Sequence, residues 1–429
     1  MNGDPVLPSL EDIKRTKRYA EKASEIGSRN EYNKKKLAIN LMLLEIFEII
    51  HSNDEGKYQE AISKIDKIIK MDPKGAYAYN ISGALLARLN KLSEAKAKAG
   101  SAEDLAPLWA EAPCGTGKIL FQEKSYNEAE AKFLETIEKD PSLSKGYYNL
   151  AKLYNYIGRV EEGKVQIDQA RKINPKVPSI LLEEMNNNFL RGDLSKVKRA
   201  SEKEELKDFP EALVARSDVE FLEARENTQF DVLQERYLKA YKIDSNNVNS
   251  ILALGYFYLR ILDNKKAADF IEENYAQKSG DRPIKGKTRL KRGKTMLKRE
   301  CKRLFNRCEK MAPYDLRGMT GDWMSRGGEV NSSTIESAIS KYNGSAEVYT
   351  AIGRYYLAKE NYKLASKYLK KAVAEDDQYM KGLVLFMEAN KKMGKEKKNV
   401  KLISQLSSDA NKKDILKFRK EITSYLLLY

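Results

Sequence analysis

The chain has very little of the side-chain chemistry on which most catalytic and metal sites depend. Its 429 residues include one histidine, His51, and three cysteines, Cys114, Cys301 and Cys308. Structural zinc sites use cysteine and histidine, and general-base catalysis uses histidine most often. Three cysteines also form no even disulfide set, which is typical of a reducing compartment. We therefore predict no catalytic site, no metal and no cofactor, and a cytoplasmic location with the nucleus as the alternative.

Long apolar runs, proline and glycine are scarce as well. The chain has 11 prolines and 24 glycines, and 41% of its residues are hydrophobic, which excludes a disordered low-complexity chain. The most apolar stretch, residues 37–50, is interrupted by three polar residues and is too short to cross a bilayer. Residues 1–31 lack the apolar core of a signal peptide. We expect a folded, non-secreted protein without a membrane span.

Positive charge is abundant but unevenly distributed. Lys and Arg number 78 against 62 Asp and Glu, a formal net charge of +16. Residues 282–310 hold 13 basic and 2 acidic side chains, and residues 391–401 hold 6 basic and 1 acidic, so these two segments contain the whole excess. A basic surface favours acidic partners.

Four prolines divide the first part of the chain into equal segments. Pro73, Pro107, Pro141 and Pro175 are each 34 residues apart. Proline cannot continue a helix and moves the preceding residue out of the helical region, so each proline ends a segment. Residues 42–177 are therefore interpreted as four copies of one structural repeat.

Small residues recur at fixed positions in these repeats. Position twenty holds Ala61, Ala95, Ala129 and Gly163. A side chain that has to be small at constant spacing marks two backbones in close approach, here the two helices of a hairpin. The spacing predicts a series of helical hairpins.

The pattern resembles the tetratricopeptide repeat, a 34-residue helix-turn-helix unit. The resemblance implies an all-α fold, a right-handed superhelix (α-solenoid) of about ten such repeats, some of them degenerate. It also implies a concave groove, lined chiefly by the first helix of each repeat, which in that family binds a peptide or another protein without catalysis. The residues that carry the match in 144–177 are Tyr147, Leu150, Ala151, Tyr154, Gly158, Ile167, Ala170 and Pro175.

The repeat pattern divides the chain into five regions of unequal regularity. In 282–315 the charges and glycines of the first half favour a frayed helix or a loop, while Cys301 and Cys308 replace alanine and are expected in the core. The glycines of 316–345 predict no first helix there. The regions are an N-terminal helical cap (1–41), four regular repeats (42–177), a degenerate repeat followed by two repeat-like segments (178–281), a basic repeat and a glycine-rich irregular one (282–345), and a regular repeat with a C-terminal helical cap (346–429).

Candidate binding residues follow from the family's geometry, in which positions two, five, nine, twelve and thirteen of each repeat face the groove. Cations and tyrosines dominate these positions, which suits an acidic peptide, because Lys and Arg donate charge-assisted hydrogen bonds and Tyr adds rigid contact area. The alternative is that these side chains are merely solvated. The predicted groove residues are Tyr77, Asn80, Arg88, Lys118, Lys145, Tyr148, Lys152, Tyr156, Tyr256, Arg260 and Arg354, with Glu111, Gln122 and Asn249 at equivalent positions.

The basic segment supports a second hypothesis, a nucleic-acid (RNA)-associated protein. Its cations can neutralise several phosphates, which gives binding that falls steeply with salt. Trp323 and the lysines of 391–401 are candidate additions, but Phe305 is expected in the core, so base stacking is unsupported. An anionic membrane surface is a third alternative. The predicted anion-binding residues are Lys287, Arg289, Lys291, Arg292, Lys294, Lys298 and Arg299.

Three further features have weaker implications. Residues 115–118 resemble a phosphate-binding loop but lack its first glycine and its final Ser or Thr. Lys145 and Asn149 match residue types with which some family members hold the C-terminal carboxylate of heat-shock chaperones, yet the neighbouring repeats lack them, so chaperone-tail capture is not predicted. The apolar C-terminal helix, with Phe418 and Ile422, is expected to cap the array or to mediate homo-oligomerisation.

Overall fold

The structure is a computed structural model that describes residues 10–26, 30–52, 55–223, 229–263, 267–275, 287–312, 315–326, 329–397 and 399. Every regular element in these ranges is a helix, and helices pack in pairs such as Ala76–Arg88 with Leu92–Leu105, Glu111–Gln122 with Tyr126–Lys139 and Ala346–Ala358 with Tyr362–Glu375. The predicted all-α fold of helical repeats is therefore confirmed. None of the described helices combines the length and the hydrophobicity needed to span a bilayer.

The chain forms two compact parts, which we call the first and second lobes. The first lobe comprises residues 1–154 and 161–183, and the second comprises residues 155–160 and 184–429. Helices α1 to α10 lie within residues 10–190, and a 3₁₀ turn at Glu55–Lys57 directly precedes α3. Their bounds are α1 Leu10–Ile26, α2 Glu31–Ser52, α3 Tyr58–Met71, α4 Ala76–Arg88, α5 Leu92–Leu105, α6 Glu111–Gln122, α7 Tyr126–Lys139, α8 Ser144–Tyr156, α9 Val160–Ile173 and α10 Pro178–Leu190.

The remaining helices all belong to the second lobe, which also contains the ends of α8 and α10 and the turn between α8 and α9. Their bounds are α11 Leu194–Ser201, α12 Pro210–Glu223, α13 Phe230–Ile243, α14 Val248–Asp263, α15 Ala268–Tyr275, α16 Lys287–Met311, α17 Leu316–Ser325, α18 Ser332–Lys341, α19 Ala346–Ala358, α20 Tyr362–Glu375 and α21 Met380–Lys392.

The N-terminal region contains helix α1, which packs on helix α2. Ile13 of α1 is fully buried, and Lys17 Nζ lies 2.8 Å from Glu48 Oε2 of α2. The expected boundary between cap and first repeat, at residue 41, falls inside α2, which continues without a break to Ser52. Residues 31–41 therefore belong to the same helix as the start of the first repeat.

Close packing within the hairpins explains the recurrent small residues. Ala61, Ala95 and Ala129 are fully buried. A Cβ at Gly83 on α4 would lie 3.1 Å from the carbonyl oxygen of Ala95 on α5, closer than a methyl group tolerates. The predicted close approach of paired helices is therefore present.

The turn inside each hairpin also repeats at one position. Position fifteen of successive repeats adopts a positive φ, the left-handed conformation that ends a helix and favours glycine. This geometry recurs every 34 residues in two runs along the chain. The residues are Asn90 (58°), Lys124 (66°), Gly158 (83°) and Gly192 (72°) in the first run, and Glu360 (58°) and Gly394 (70°) in the second.

Between these runs the chain contains one helix that is longer than the helices of the regular hairpins. Helix α16 runs from Lys287 to Met311, so the expected frayed helix or loop in its first half is wrong for these residues. Leu297 and Leu304 lie fully buried on one side of the helix, and Gly293 lies where a Cβ would be 2.9 Å from the Ile271 backbone. Several basic residues of the helix are exposed to solvent, which is why they do not prevent the helix from forming, among them Lys291, Lys298, Arg299, Lys302 and Arg303.

The glycine-rich segment contains the first helix that its composition argued against. Helix α17 begins at Leu316, and the carboxylate of Asp315 caps it by accepting a hydrogen bond from the Arg317 backbone N–H. A Cβ at Gly321 would overlap the ring of Phe305, and one at Gly318 would lie 3.0 Å from Cys308 Sγ. These glycines permit close packing between α16 and α17, and the prediction of no helix here is wrong.

The cysteines and Trp323 belong to the cores of the second lobe. Cys301 and Cys308 are fully buried beside Phe305, as predicted, and burial raises the pKa of the Cys308 thiol to about 12. Trp323 is 3% exposed and packs edge-on against Tyr355. Its indole is therefore not available to stack on a base.

Candidate functional site

In the first lobe, the first helices α4, α6 and α8 lie side by side. The Asn80 side chain of α4 occupies the space that a Cβ at Gly115 of α6 would need. Asn149 Nδ2 of α8 lies 3.3 Å from Cys114 Sγ of α6. Three consecutive repeats therefore present equivalent helices on one surface, as expected from the family. The predicted groove residues on these three helices are Tyr77, Asn80, Arg88, Lys118, Lys145, Tyr148 and Lys152.

Two of these cations have partners within the first lobe. Arg88 Nη1 donates to Tyr58 Oη at 2.8 Å. Lys145 Nζ lies 3.8 Å from Glu111 Oε1, and both side chains are largely buried. Their positive charge is therefore partly satisfied by the protein itself.

The aromatic residues of the same surface are divided between core and solvent. Tyr148 is buried, and the Lys152 ammonium lies 5.4 Å from the centre of its ring. Tyr77 is 43% exposed and its ring lies 5.9 Å from that of Trp109. Lys118 is half-buried on the neighbouring helix α6. Tyr77 thus offers the most accessible ring among these tyrosines.

In the second lobe, Arg260 forms part of a buried charge pair. Its Nη1 lies 3.5 Å from Asp218 Oδ1, and its guanidinium carbon lies 4.9 Å from the centre of the Phe221 ring. Asp218 is 1% exposed and accepts a hydrogen bond from Tyr237 Oη at 2.6 Å. Burial and then the Asp218 carboxylate raise the pKa of Tyr237. This arrangement places Arg260 in the core of the lobe rather than on an open groove.

Arg354 is also buried, but it has no carboxylate partner among the described residues. It is 4% exposed, and its Nη2 donates to Tyr256 Oη and to Thr320 Oγ1, each at 2.6 Å. Its Nε has no hydrogen-bond partner in the part of the chain that the structure describes. The hydrogen-bond partners that the structure gives for the Arg354 side chain are therefore neutral hydroxyl groups.

Arg317 brings a second guanidinium to this region, and sequence reasoning missed it. Its Nη2 lies 2.6 Å from Asp315 Oδ2 and 2.9 Å from Asn249 Oδ1. The backbone carbonyl of Arg317 accepts a hydrogen bond from Tyr256 Oη at 2.8 Å, which joins it to the Arg354 network. Although burial alone would raise the pKa of Asp315, the Arg317 charge holds it below its usual value. Arg317 and Asp315 thus form an ion pair that is neutral overall.

Lys381 on α21 is the third cation, and it was also missed. Its side chain is accessible to solvent, yet the surrounding protein lowers its pKa to about 8, through desolvation and then through repulsion by Arg317 and Arg354. That combination is typical of a side chain in a water-filled concavity. The segment after the repeat 346–379 begins at residue 380, so Lys381 is at position two of that segment. The groove rule could therefore have found it.

Two tyrosines and a glutamate lie beside these cations. The rings of Tyr156 and Tyr379 are stacked with their centres 5.4 Å apart. Tyr156 Oη donates to Glu347 Oε1 at 3.2 Å. Burial and then the Glu347 charge raise the pKa of Tyr379, while Arg354 opposes the shift. Tyr379 therefore remains a neutral phenol that can donate a hydrogen bond.

The predicted anion-binding patch lies on α16. Lys291, Lys298 and Arg299 are exposed, and Arg292 and Lys294 are half-buried. The side chains of Lys287 and Arg289 lie outside the described part of the structure. Of the second basic segment, Lys391, Lys392, Lys395 and Lys397 are exposed. The predicted C-terminal helix with Phe418 and Ile422 falls outside the described residues.

Comparison with known proteins supports the repeat assignment. Residues 54–108 match the family model of the tetratricopeptide repeat. The chain is 26% identical over 191 residues to Hsp70-Hsp90 organizing protein 1 of Glycine max, an overlap of 43% of this chain and 32% of that protein. The chain thus spans about a third of the length of this curated relative.

Two solved structures resemble the chain at low sequence identity. A tetratricopeptide repeat protein from Parabacteroides merdae is 12% identical, with 67% of this chain and 99% of that chain covered and a TM-score of 0.45. Human IFIT1, determined as a dimer with m7Gppp-AAAA, is 12% identical, with 94% and 95% covered and a TM-score of 0.45.

Proposed function

Because the chain carries tetratricopeptide repeats, we propose that it is a protein-interaction scaffold without catalytic activity that binds an acidic peptide segment of a partner protein. The observation that carries this proposal is the group of cations on the first helices of the second lobe. Arg354 and Lys381 have no carboxylate within salt-bridge distance among the described residues. A peptide carboxylate would supply the charge that this surface lacks.

The first lobe supports the same function less strongly. Lys118, Lys145 and Lys152 lie on two adjacent first helices beside Tyr148. Because Lys145 already lies close to Glu111, it has less charge to offer a ligand. We propose these residues as a secondary peptide-binding surface.

Chaperone-tail capture is not part of this proposal. Asn149 Nδ2 donates to the backbone carbonyl of Lys145 at 2.8 Å and also contacts Cys114 Sγ. The two residues whose types match that binding mode are therefore engaged with the protein itself, and the neighbouring repeats do not supply the remaining ones. We propose a cytoplasmic location, which the three buried free cysteines support.

The experiment is a comparison of two defined peptides. A fluorescent peptide of alternating Glu and Tyr and its Gln analogue are titrated with the full chain, and anisotropy is measured across a sodium chloride series. We expect the acidic peptide alone to bind, and Lys381→Glu to weaken it about tenfold or more, since charged hydrogen bonds contribute roughly 1.5–3 kcal/mol. Equal binding of both peptides, or no effect of Lys381→Glu, would contradict the proposal.

A second candidate function is RNA association through α16. The observation that favours it is the exposure of Lys291, Lys298 and Arg299 on one solvated helix face. The test neutralises these three residues together with Arg292 and measures retention on heparin and mixed RNA across a salt series. Phosphate neutralisation predicts a salt slope that falls by roughly 0.7 per lost contact for single strands. An unchanged slope identifies the patch as a solvated face.

A further inference from the structure

Two cations of the second lobe lie within salt-bridge distance of no carboxylate among the described residues. Of the three cations in the cluster, Arg317 is paired with Asp315 at 2.6 Å. Arg354 is hydrogen-bonded to hydroxyl groups, and Lys381 forms no salt bridge with a described residue. Glu347 lies nearby and acts electrostatically on Tyr379, while its Oε1 accepts a hydrogen bond from Tyr156. Arg354 and Lys381 are therefore the two cations of the cluster without a direct carboxylate partner in the described part of the chain.

Four helices hold these groups in place. Tyr256 of α14 accepts a hydrogen bond from Arg354 of α19 and donates one to the Arg317 carbonyl of α17. Helix α21 packs on α19, with Gly382 so close that a Cβ there would lie 2.8 Å from Thr350 Oγ1. Lys381, the residue before this glycine, is thereby positioned beside the guanidinium groups. The cluster is a rigid part of the fold rather than a set of free surface side chains.

Leaving Arg354 buried without a counter-charge costs the fold free energy. A buried charge is ordinarily paired, because hydrogen bonds to neutral groups do not replace the hydration it has lost. The Lys381 ammonium, which repels Arg354 and Arg317, adds to that cost. A structure that retains both charges side by side is suited to binding an anion.

We propose that Lys381, Arg354 and Arg317 form a binding site for a doubly charged phosphate group, carried by a phosphorylated side chain of the bound peptide. This inference rests on the proposed function for the source of the phosphate. A carboxylate would pair with one of these two cations, whereas a phosphate monoester carries a charge of about −1.5 to −2 at neutral pH and three acceptor oxygens for several donors. Lys381 and the partly exposed Arg317 contact the anion, and Arg354 contributes its charge from below the surface.

The stacked tyrosines complete the site. Tyr379 remains protonated, because burial and Glu347 raise its pKa, so its hydroxyl group is a donor for a phosphate oxygen. Tyr156 donates a hydrogen bond from its hydroxyl group to Glu347 Oε1 at 3.2 Å, so that carboxylate is already engaged by a neighbouring donor. The site thus combines cationic and neutral donors with one restrained acidic side chain.

Inorganic phosphate is the first probe, titrated calorimetrically into the full chain at constant ionic strength. We expect saturable binding that Lys381→Met weakens about tenfold or more. Lys391→Met removes an exposed lysine from the last turn of the same helix and is the matched control, with no expected change. Because Lys381 is solvent-accessible, its loss should leave folding intact, which circular dichroism verifies. Absence of saturable binding, or equal weakening in both variants, would overturn the site.

Proton uptake distinguishes a direct role of Lys381 from a structural one. A bound anion raises the pKa of this lysine above its free value of about 8, so binding near pH 8 takes up protons. The apparent enthalpy should then depend on the ionisation enthalpy of the buffer, and this dependence should diminish in Lys381→Met. The same buffer dependence in wild type and Lys381→Met would contradict the assignment.

The source of the phosphate is tested with three ligands: an acidic peptide with one phosphoserine, the same peptide with serine, and a 5′-phosphorylated oligoribonucleotide. We expect the phosphopeptide to bind about tenfold more tightly than the serine peptide. Equal binding of the two peptides overturns this inference and leaves the proposed function intact. If the chain binds inorganic phosphate but neither of the two peptides, the anion site is supported and the proposed function is contradicted. Tighter binding of the oligoribonucleotide overturns the peptide source.

Discussion

In the first lobe, the left-handed turns at Asn90 and Lys124 are 34 residues apart, whereas α16 in the second lobe continues for 25 residues without a turn. The regular repeats of the first lobe place cations beside acidic or aromatic partners. In the second lobe, Arg317 of the irregular segment and Arg354 of the regular repeat that follows it meet around Tyr256. The irregular segment therefore contributes a paired cation, and the cations without a direct carboxylate partner come from the regular repeat and the helix that follows it.

Glycines occupy open and confined positions in this fold. Gly100 on α5 has no neighbouring atom within 4 Å of the position of a Cβ. In contrast, Gly321 on α17 lies directly against Phe305 of α16. Gly117 in the first lobe is similarly confined, because a Cβ there would lie 2.6 Å from the Phe133 ring. Close packing at glycine is therefore common to both lobes, and Gly100 and Gly321 represent the open and the confined position.

The largest expected difference between the lobes is in the free energy of unfolding that is lost when an ion pair is broken. Arg260→Met leaves Asp218 buried without its cation, which we expect to reduce the free energy of unfolding by about 3–5 kcal/mol. Lys145→Met in the first lobe, which removes a contact of 3.8 Å to Glu111, should cost about 0–1 kcal/mol. Urea unfolding of both variants measures the difference. Similar losses would show that the two ion pairs are energetically equivalent.

Helix packing gives the next largest effect. Gly321→Ala places a methyl group into the Phe305 ring, so we expect a loss of about 1–3 kcal/mol. Gly100→Ala in the first lobe meets open space and removes backbone freedom, so it should gain about 0.5–1 kcal/mol. Thermal unfolding of the pair decides the point. If Gly321→Ala is neutral, then α16 and α17 have room to separate, and the contrast between the two glycines is smaller than the contacts indicate.

A pH titration isolates the charge repulsion of the second lobe. The pKa of Lys381 is lowered to about 8 from an unfolded value near 10.5, so the unfolded chain binds more protons between these values. Stability should therefore rise as pH increases from about 8 towards 10.5, because the unfavourable charge is lost. Lys381→Met should lack this rise and be more stable than wild type below pH 8, by roughly 1 kcal/mol or less given its exposure. If the stability of wild type and Lys381→Met changes with pH in the same way, this prediction is contradicted.

The regular part of this fold was predictable because its signals are local. The prolines and small residues report where each helix ends and where two helices touch, and Ala95 and Ala129 are buried as that reasoning requires. The helix at Leu316–Ser325 was not predictable, because glycines in a sequence normally indicate a flexible segment. The contact of Gly321 with Phe305 joins two different helices, so the local sequence does not reveal it.

The candidate site shows the same limit. Tyr156, Tyr256 and Arg354 were selected from repeat positions, and the structure places all three in the second-lobe cluster. Lys381 was missed because the groove rule was applied only to repeats that looked regular. Arg317 occupies position two of the segment 316–345, but the rule was not applied there because no first helix was expected. Sequence position thus identified part of the cluster, and the charge imbalance emerged only from the packing.

The smallest expected effect tests whether the regular turns are optimised. Lys124 in the first lobe and Glu360 in the second adopt φ values of 66° and 58° without being glycine. The left-handed conformation costs a residue with a side chain roughly 1–2 kcal/mol, and the freedom of glycine in the unfolded chain offsets about 0.5–1 kcal/mol. Lys124→Gly and Glu360→Gly should therefore each raise stability by about 0.5–1 kcal/mol in denaturant unfolding. A gain in one lobe but not the other would mean that the shared turn geometry conceals a difference in how tightly each hairpin is held.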